Sequence, residues 1–452
     1  MQVGQQMLNE AFNYTPPSAL TGSARDYRYA RGADLQARIE GFYKWQNLRR
    51  QHGLWPFSRS TEESPAPVTA ARDDAGGHFR GVNFASGDHL NLGTHPAIKQ
   101  AAHEVIDQFG VHSAGTAAML GASAHSVRLE RRIADFLDAA EAVLFPTGWA
   151  AAYGVIKGLV RPADHVVMDV LSHPSLKEGA AAATRNVYLF RHNSVEDCRR
   201  WLQKIRAQDT QNGVLVVTES LFAQDSDTPD LGALQALCHE FKATLLVDAA
   251  HDLGALGPEG KGALGDQGLL GKVDLVMGSF SKSFGSNGGF VACRSREAKE
   301  YLRFFSPTCA FSTALSPIQA AIVLKAFDII ESAEGQALRD RLMGNVQSLR
   351  RRLVEAGLEL YGEPSGVVCV KLGAEGLARL VSRRLPEAGL IANLVEFPAV
   401  PKDQARIRLQ VMANHSDANI ADAVAALTSA CSAGREEFDW LGAERDKLRA
   451  HG

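Results

Sequence analysis

Gly278-Ser279-Phe280-Ser281-Lys282-Ser283-Phe284-Gly285 follows a mostly apolar run, Val273 to Met277, and sets a lone lysine among small and hydroxyl-bearing residues. A second apolar run, Thr244 to Val247, ends in Asp248-Ala249-Ala250-His251. Either feature alone is commonplace, since a lysine after a strand is ordinarily a solvated strand end. The two in this order, each beyond a buried-type strand, are much rarer and suit pyridoxal 5′-phosphate (PLP). The lysine amine can form an imine with the cofactor aldehyde. The acid can pair with the pyridinium nitrogen and keep it protonated, so the ring accepts electrons from a carbanion. Small residues near Lys282 leave room for a phosphate and offer it backbone N–H and hydroxyl donors.

Working outward from that stretch, residues 80 to 315 alternate short apolar runs with amphipathic segments. Val166 to Met168, Val214 to Val217, Thr244 to Val247 and Val273 to Met277 are rich in branched residues and read as strands buried on both faces. Leu129, Ile133, Phe136 and Leu137 make a helical stripe, as do Leu231, Leu234, Leu237, Cys238 and Phe241. The pattern predicts an α/β fold with a mostly parallel sheet covered by helices. Ligands of such sheets bind beyond the carboxyl ends of the strands, where Asp248 and Lys282 both fall.

The expected organisation has four parts: an extension with a helix and linker over 1–75, a large domain over 76–315, a smaller α+β domain over 316–434 and a charged tail over 435–452. In the extension, Asp34 to Gln51 reads as a helix with Leu35, Ile39, Phe42 and Trp45 on one face, docking on the body of the protein. Ser58 to Thr69 reads as a linker. In the smaller domain a long helix carries Leu338, Leu342, Val346, Leu349 and Leu353, followed by strands at Val367–Val370 and Ile407–Val411.

With 452 residues, 45% of them hydrophobic, the chain can bury a sizeable core. A formal charge of -3 offers no electrostatic reason to expect nucleic acid or an anionic membrane as partner. Cys198, Cys238, Cys293, Cys309, Cys369 and Cys431 lack paired spacing, which argues against a metal site or disulfide framework and for a reducing cytoplasm. Met1 to Ser18 has no basic start followed by an apolar core, so no secretory leader is expected, and no apolar run reaches membrane-spanning length. The glycines at 254, 257, 260 and 262 lack the spacing of a dinucleotide or P-loop motif and read as a loop.

Eight motifs, in order from Asn83 to Arg408, resemble those of the α-oxoamine synthases, a family of the fold-type I PLP (aspartate aminotransferase-like) superfamily. They are Asn83-Phe84-Ala85-Ser86, Phe145-Pro146-Thr147-Gly148-Trp149-Ala150-Ala151, Leu171-Ser172-His173-Pro174-Ser175-Leu176, Thr218-Glu219-Ser220, Asp248-Ala249-Ala250-His251, Ser279-Phe280-Ser281-Lys282, Phe311-Ser312-Thr313 and Ala405-Arg406-Ile407-Arg408. The resemblance implies Lys282 as the Schiff-base lysine, Asp248 as partner of the ring nitrogen and His251 as donor to the phenolic oxygen. It implies His173 stacked on the ring. Thr147, Gly148, Trp149, Ser279 and Ser281 would lie around the phosphate. Ser312 and Thr313 would reach the phosphate of a neighbouring subunit, which implies a homodimer with shared sites.

The implied reaction is a decarboxylative Claisen-type condensation of an amino acid with an acyl thioester, on coenzyme A or an acyl carrier protein, giving an α-amino ketone. Rival readings are another PLP reaction on the same fold (transamination or aldol cleavage), a non-catalytic partner subunit, which the presence of Lys282 disfavours, and a docking role for the N-terminal extension. Several positions depart from the family pattern. Glu396 stands where many members have an arginine, Gly87 and Ala117 replace polar residues, and Ala223 replaces a hydroxyl residue. Arg408 is the candidate for the amino-acid carboxylate, because a guanidinium can grip a carboxylate with two hydrogen bonds. Arg406, two positions back on the same strand, shares its face, so only the family motif favours Arg408.

Overall fold

The computed structural model describes residues 15–450. The expectation about a leader rests mainly on residues 1–14, which lie outside this range. The chain divides into two compact units. One spans Gly87–Met343, and the other joins the residues up to Ser86 to those from Gly344 onward.

The Gly87–Met343 unit is built on a seven-stranded sheet. Its strands are β1 (Glu141–Phe145), β2 (His165–Asp169), β3 (Val187–Phe190), β4 (Val214–Glu219), β5 (Thr244–Asp248), β6 (Leu275–Ser279) and β7 (Gly289–Cys293). They lie in the order β1-β7-β6-β5-β4-β2-β3. β7 is antiparallel to both neighbours, and the pairs from β6 to β3 are parallel. Every residue of β2, β4, β6 and β7 is buried, which is why these segments read as unbroken apolar runs.

On one face Val143, Val166, Met168, Val217, Leu246 and Met277 pack with Val155, Ile156, Leu176 and Ala180 of the helices Gly148–Leu159 and Pro174–Ala183. Trimming a residue such as Ile156 to alanine leaves a cavity in a fully covered layer and costs about 2–5 kcal/mol. The expected break at 315/316 falls elsewhere. Helix Pro317–Ile330 belongs to this unit because it is apolar nearly all round, and its Phe327 ring meets Phe136 at 5.1 Å and Phe284 at 4.8 Å.

The other unit contains a four-stranded sheet in the order Ser60–Thr61, Val68–Arg72, His78–Asn83, Leu390–Ile391. His78–Asn83 pairs antiparallel with Val68–Arg72 and parallel with Leu390–Ile391. The 75/76 boundary therefore runs through a sheet, and the stretch read as a linker runs into a strand. A three-stranded antiparallel sheet orders Val367–Gly373, Ala405–Gln410 and Asn393–Val395. The segment read as a tail continues helix Asp417–Ala450 without a break, with Glu437 and Leu441 buried.

The N-terminal helix forms, but over Glu40–Gln51, after a 3-10 turn at Ala37–Ile39. Leu35 and Ile39 are exposed, and Trp45, Arg49 and Leu54 carry the docking within this unit. Glu396, at 8% exposure, accepts hydrogen bonds from Arg49 Nη1 (3.2 Å) and Arg379 Nε (2.7 Å). Arg379 also donates to the carbonyls of Leu20 (2.6 Å) and Gly22 (2.7 Å). Among the described residues no helix is long and apolar enough to cross a membrane. All six cysteines are buried, and none is in a disulfide.

Candidate active site

The site starts from register. Glu219, the last residue of β4, lies directly beside Asp248, the last of β5, and Asp248 lies beside Met277 of β6. Two acids thus share one row at the carboxyl edge of the sheet, both buried. Burial pushes the Asp248 carboxyl up to about 6, against the pull of a hydrogen bond from the Ala250 N–H (2.9 Å) and of the Lys282 charge. Burial, and then the neighbouring Asp248, drive Glu219 well above the usual carboxylate range. Beyond β5, the Asp252 carboxylate accepts from the Ser220 hydroxyl (2.7 Å) and the Ala263 N–H (2.8 Å), and burial raises it to about 6. Glu219 Oε1 accepts the main-chain N–H of His173 at 2.6 Å. His173 caps helix Pro174–Ala183, with its Nδ1 2.7 Å from the Ser175 hydroxyl and its imidazole exposed at the edge of the site.

Lys282 stands on a turn fixed by aromatic anchors. Phe280 and Phe284 are buried and meet edge to face at 5.6 Å, and Phe280 stacks on Phe290 at 5.6 Å. The turn closes through Gly285 N–H to the Lys282 carbonyl (3.2 Å) and Ser286 N–H to the Phe280 carbonyl (3.1 Å). Gly285 has φ +62° and presses against the backbone of Gly93, so a side chain there would be both strained and obstructed. His251 follows Asp248 on the loop beyond β5 and is half-buried.

A cradle of hydrogen-bond donors lies beside this turn. Thr147 caps helix Gly148–Leu159, its hydroxyl accepting the Ala150 N–H at 3.0 Å. The N–H groups of Gly148 and Trp149 are left at the first turn with no carbonyl of their own helix to bind. Gly148 packs so tightly on β6 that a Cβ there would lie 2.4 Å from Ser279 Oγ. Ser279 Oγ is 2.8 Å from Ser281 Oγ. Two main-chain donors, two hydroxyls and the positive end of a helix therefore converge, which suits a dianionic phosphate.

The remaining expected residues belong to other segments of the chain. Ser312 and Thr313 sit on a segment held to residues 113–116 by the Ala314 N–H to the Gly115 carbonyl (2.9 Å) and Ser113 Oγ to the Ala314 carbonyl (2.8 Å). Arg408 belongs to the other unit, on strand Ala405–Gln410. The structure separates it from Arg406. The Arg406 guanidinium stacks 3.7 Å from the Tyr361 ring centroid and donates to the Gln404 carbonyl (3.1 Å). Arg408 has no hydrogen-bond or ion-pair partner among the described residues, its Nε is buried, and burial lowers its pKa.

The family model for aminotransferase class I and II matches residues 80–427. The chain belongs to that family. The 8-amino-7-oxononanoate synthase of Geotalea daltonii is 34% identical over 76% of this chain and 87% of its own length. That of Trichlorobacter lovleyi is 33% identical over 84% and 95%. Among solved structures, SPT carrying PLP has a TM-score of 0.82 at 27% identity, over 89% of this chain and 99% of that chain. A Sphingomonas wittichii serine palmitoyltransferase matches with a TM-score of 0.82 at 26% identity, over the same shares.

Within the family the chain is an α-oxoamine synthase, a PLP-dependent C-acyltransferase that condenses an amino acid with an acyl thioester. The residues present fit the cofactor: a lysine on a rigid turn, a buried strand-end acid with spare acceptor capacity, and a donor-lined cradle. Two further acids join the site without having been singled out by sequence pattern. Glu219 falls inside a motif but carries no role there, and Asp252 lies just past one. The available signal is that Glu219, like Asp248, is an acid that ends an apolar run.

Proposed function

We propose that Lys282, Asp248, His251 and His173 act on the cofactor ring, that Thr147, Gly148, Trp149, Ser279 and Ser281 hold its phosphate, and that Arg408 holds the amino-acid carboxylate. When bound, PLP supplies the electron sink for a carbanion at the amino acid's α-carbon. Asp248 supplies the negative charge that keeps a proton on the ring nitrogen. His173 would hold one face of the bound ring, and His251 would supply a hydrogen bond to it. The Lys282 amine removes the α-proton as general base and returns one after the carboxylate has left as CO₂.

The observation that supports the Arg408 assignment is its half-buried guanidinium, without a hydrogen-bond or ion-pair partner among the described residues, beside an Arg406 that is stacked on Tyr361 and bonded to Gln404 and leaves only its Nη2 without a hydrogen bond. A half-buried cation without a counter-charge is costly, and a substrate carboxylate would meet that need with two parallel hydrogen bonds.

The working form proposed is a homodimer with shared sites. Met119, Leu120 and Phe311 are 87%, 92% and 87% exposed, and they lie on the two segments bridged at Thr116 and Thr313. Large apolar side chains clustered in this way mark an interface, and a second copy of this chain would cover them and bring Ser312 and Thr313 to its phosphate. The thioester is carried by coenzyme A or an acyl carrier protein, and parallel assays with one acyl chain on each carrier distinguish them. The protein is assigned to the cytoplasm, which suits six buried thiols without a disulfide.

Subunit mixing tests the shared site. Lys282→Ala and a Ser312→Ala, Thr313→Ala double variant should each be impaired. Co-refolded, they should regain activity, because one composite site of a mixed dimer is intact. Free subunit exchange without any recovery would overturn the shared site.

A further inference from the structure

The row of acids at the sheet edge holds more negative charge than the fold neutralises. Four carboxyl groups lie there, Asp169 at the end of β2, Glu219, Asp248 and Asp252. Among the described residues three cations act on them. His192 bridges Asp169 (3.0 Å) and Asp227 (2.9 Å) through its two ring nitrogens. A neutral imidazole has only one N–H, so contact with two carboxylates requires the imidazolium. Lys177 interacts with Asp169 and Glu219, and Lys282 with Glu219 and Asp248.

The local hydrogen bonds are unequal. Asp169 accepts from His192 and from the N–H groups of Leu171 (2.8 Å) and Asn193 (2.8 Å). Asp252 accepts from Ser220 and Ala263. Among the described residues Glu219 accepts one hydrogen bond, from the His173 N–H, and Asp248 one, from the Ala250 N–H. Adjacent buried carboxylates cannot both stay ionised cheaply. With one main-chain donor each, Glu219 and Asp248 differ by the ring N–H that bound PLP would add to Asp248 alone, so the proton settles on Glu219.

We propose that Glu219 is a positioning residue for the cofactor site: a neutral carboxylic acid that fixes the main chain of His173 and leaves Asp248 as the anion facing the ring nitrogen. It acts through these two residues and touches no reacting atom. One carbonyl oxygen is enough to hold the His173 N–H, and the neutral form adds no charge to compete with Asp248 for the ring proton. This role rests on the PLP assignment, yet it can fail alone, because that assignment is tested separately by loss of covalent PLP in Lys282→Ala.

Infrared spectroscopy of the full-length holoenzyme at neutral pH is the test, with Glu219→Gln as the variant. The amide is neutral and keeps the acceptor, so it should preserve bound PLP. Its PLP absorbance should titrate within about 0.5 pH unit of wild type. The protonated-carboxyl band of wild type should lose one group's intensity in the variant. Glu219→Ala, which lacks the acceptor, should bind PLP about tenfold more weakly, the loss of one charge-free hydrogen bond. An unchanged carboxyl band in Glu219→Gln, or a larger shift of its titration, would overturn the proposal. If Glu219→Gln does not fold, the wild-type spectrum decides, since the absence of any protonated carboxyl band at neutral pH excludes a neutral Glu219.

Discussion

Glu396 and Asp248 are both nearly inaccessible carboxylates, at 8% and 7% exposure, and the chain treats them in opposite ways. Glu396 is saturated from within its own unit. Arg49 takes one oxygen and Arg379 the other, and Arg379 spends its remaining donors on two N-terminal carbonyls. Asp248 receives one main-chain N–H and the field of Lys282, and burial still holds it at about 6. A weaker form of the contrast separates Arg406, stacked and bonded with only its Nη2 left over, from Arg408, which has neither kind of contact. A buried charge whose partners are complete holds a fold together. One whose partners are incomplete is prepared for a ligand.

Removing a saturated charge should damage stability, and the largest effect is expected there. Glu396→Gln strands two buried guanidinium groups and should cost about 3–5 kcal/mol in urea unfolding, with turnover per folded molecule nearly unchanged. A large loss of turnover at full stability would instead make Glu396 a substrate contact and break the contrast.

Removing a charge that lacks its partner should do the reverse. Arg408→Lys keeps the charge but loses the two-pronged geometry. It should lower kcat/KM for the amino acid by about 30- to 5000-fold, on the order of 2–5 kcal/mol, with much less effect on the thioester. Unchanged amino-acid binding would move the role to Arg406.

The smallest effect is a gain. The folded-state pKa of Asp248 lies above its unfolded value of about 3.9. Folding is therefore favoured by protonation, and stability is lost as pH rises from about 4 through 6. In the PLP-free chain at pH 8, Asp248→Asn should be more stable than wild type by about 2–3 kcal/mol. The gap should close below pH 4, where Asp248 is neutral in both states. Denaturation midpoints at the two pH values decide it, and a destabilised variant at pH 8 would show that the Asp248 charge is already balanced within the chain.

The edge proposed to hold the cofactor is largely legible in the sequence because each of its features is local. Apolar runs give the strands, and the residues that end them give Asp248 and Lys282. What escapes depends on neighbours distant in sequence. That Glu219 abuts Asp248 follows only from β4 lying beside β5. Glu396 reads only as a departure from the family's arginine, whereas it anchors Arg49, 347 residues away. The N-terminal helix is visible as a pattern, but its apolar stripe does not mark the buried face. Leu35 and Ile39 are solvent-facing, and the buried face centres on an arginine held between Trp45 and Trp55 at 4.8 and 5.3 Å. His78–Asn83 hides its strand character because it completes a sheet with Leu390–Ile391, far along the chain.

Product analysis with a carboxyl-labelled amino acid and an acyl thioester tests the central claim most directly. The account predicts three products in equal amounts: an α-amino ketone, free thiol and labelled CO₂, with none of the three when the thioester is left out. A keto acid, or an aldehyde formed without the thioester, would show transamination or aldol cleavage on this fold and contradict it.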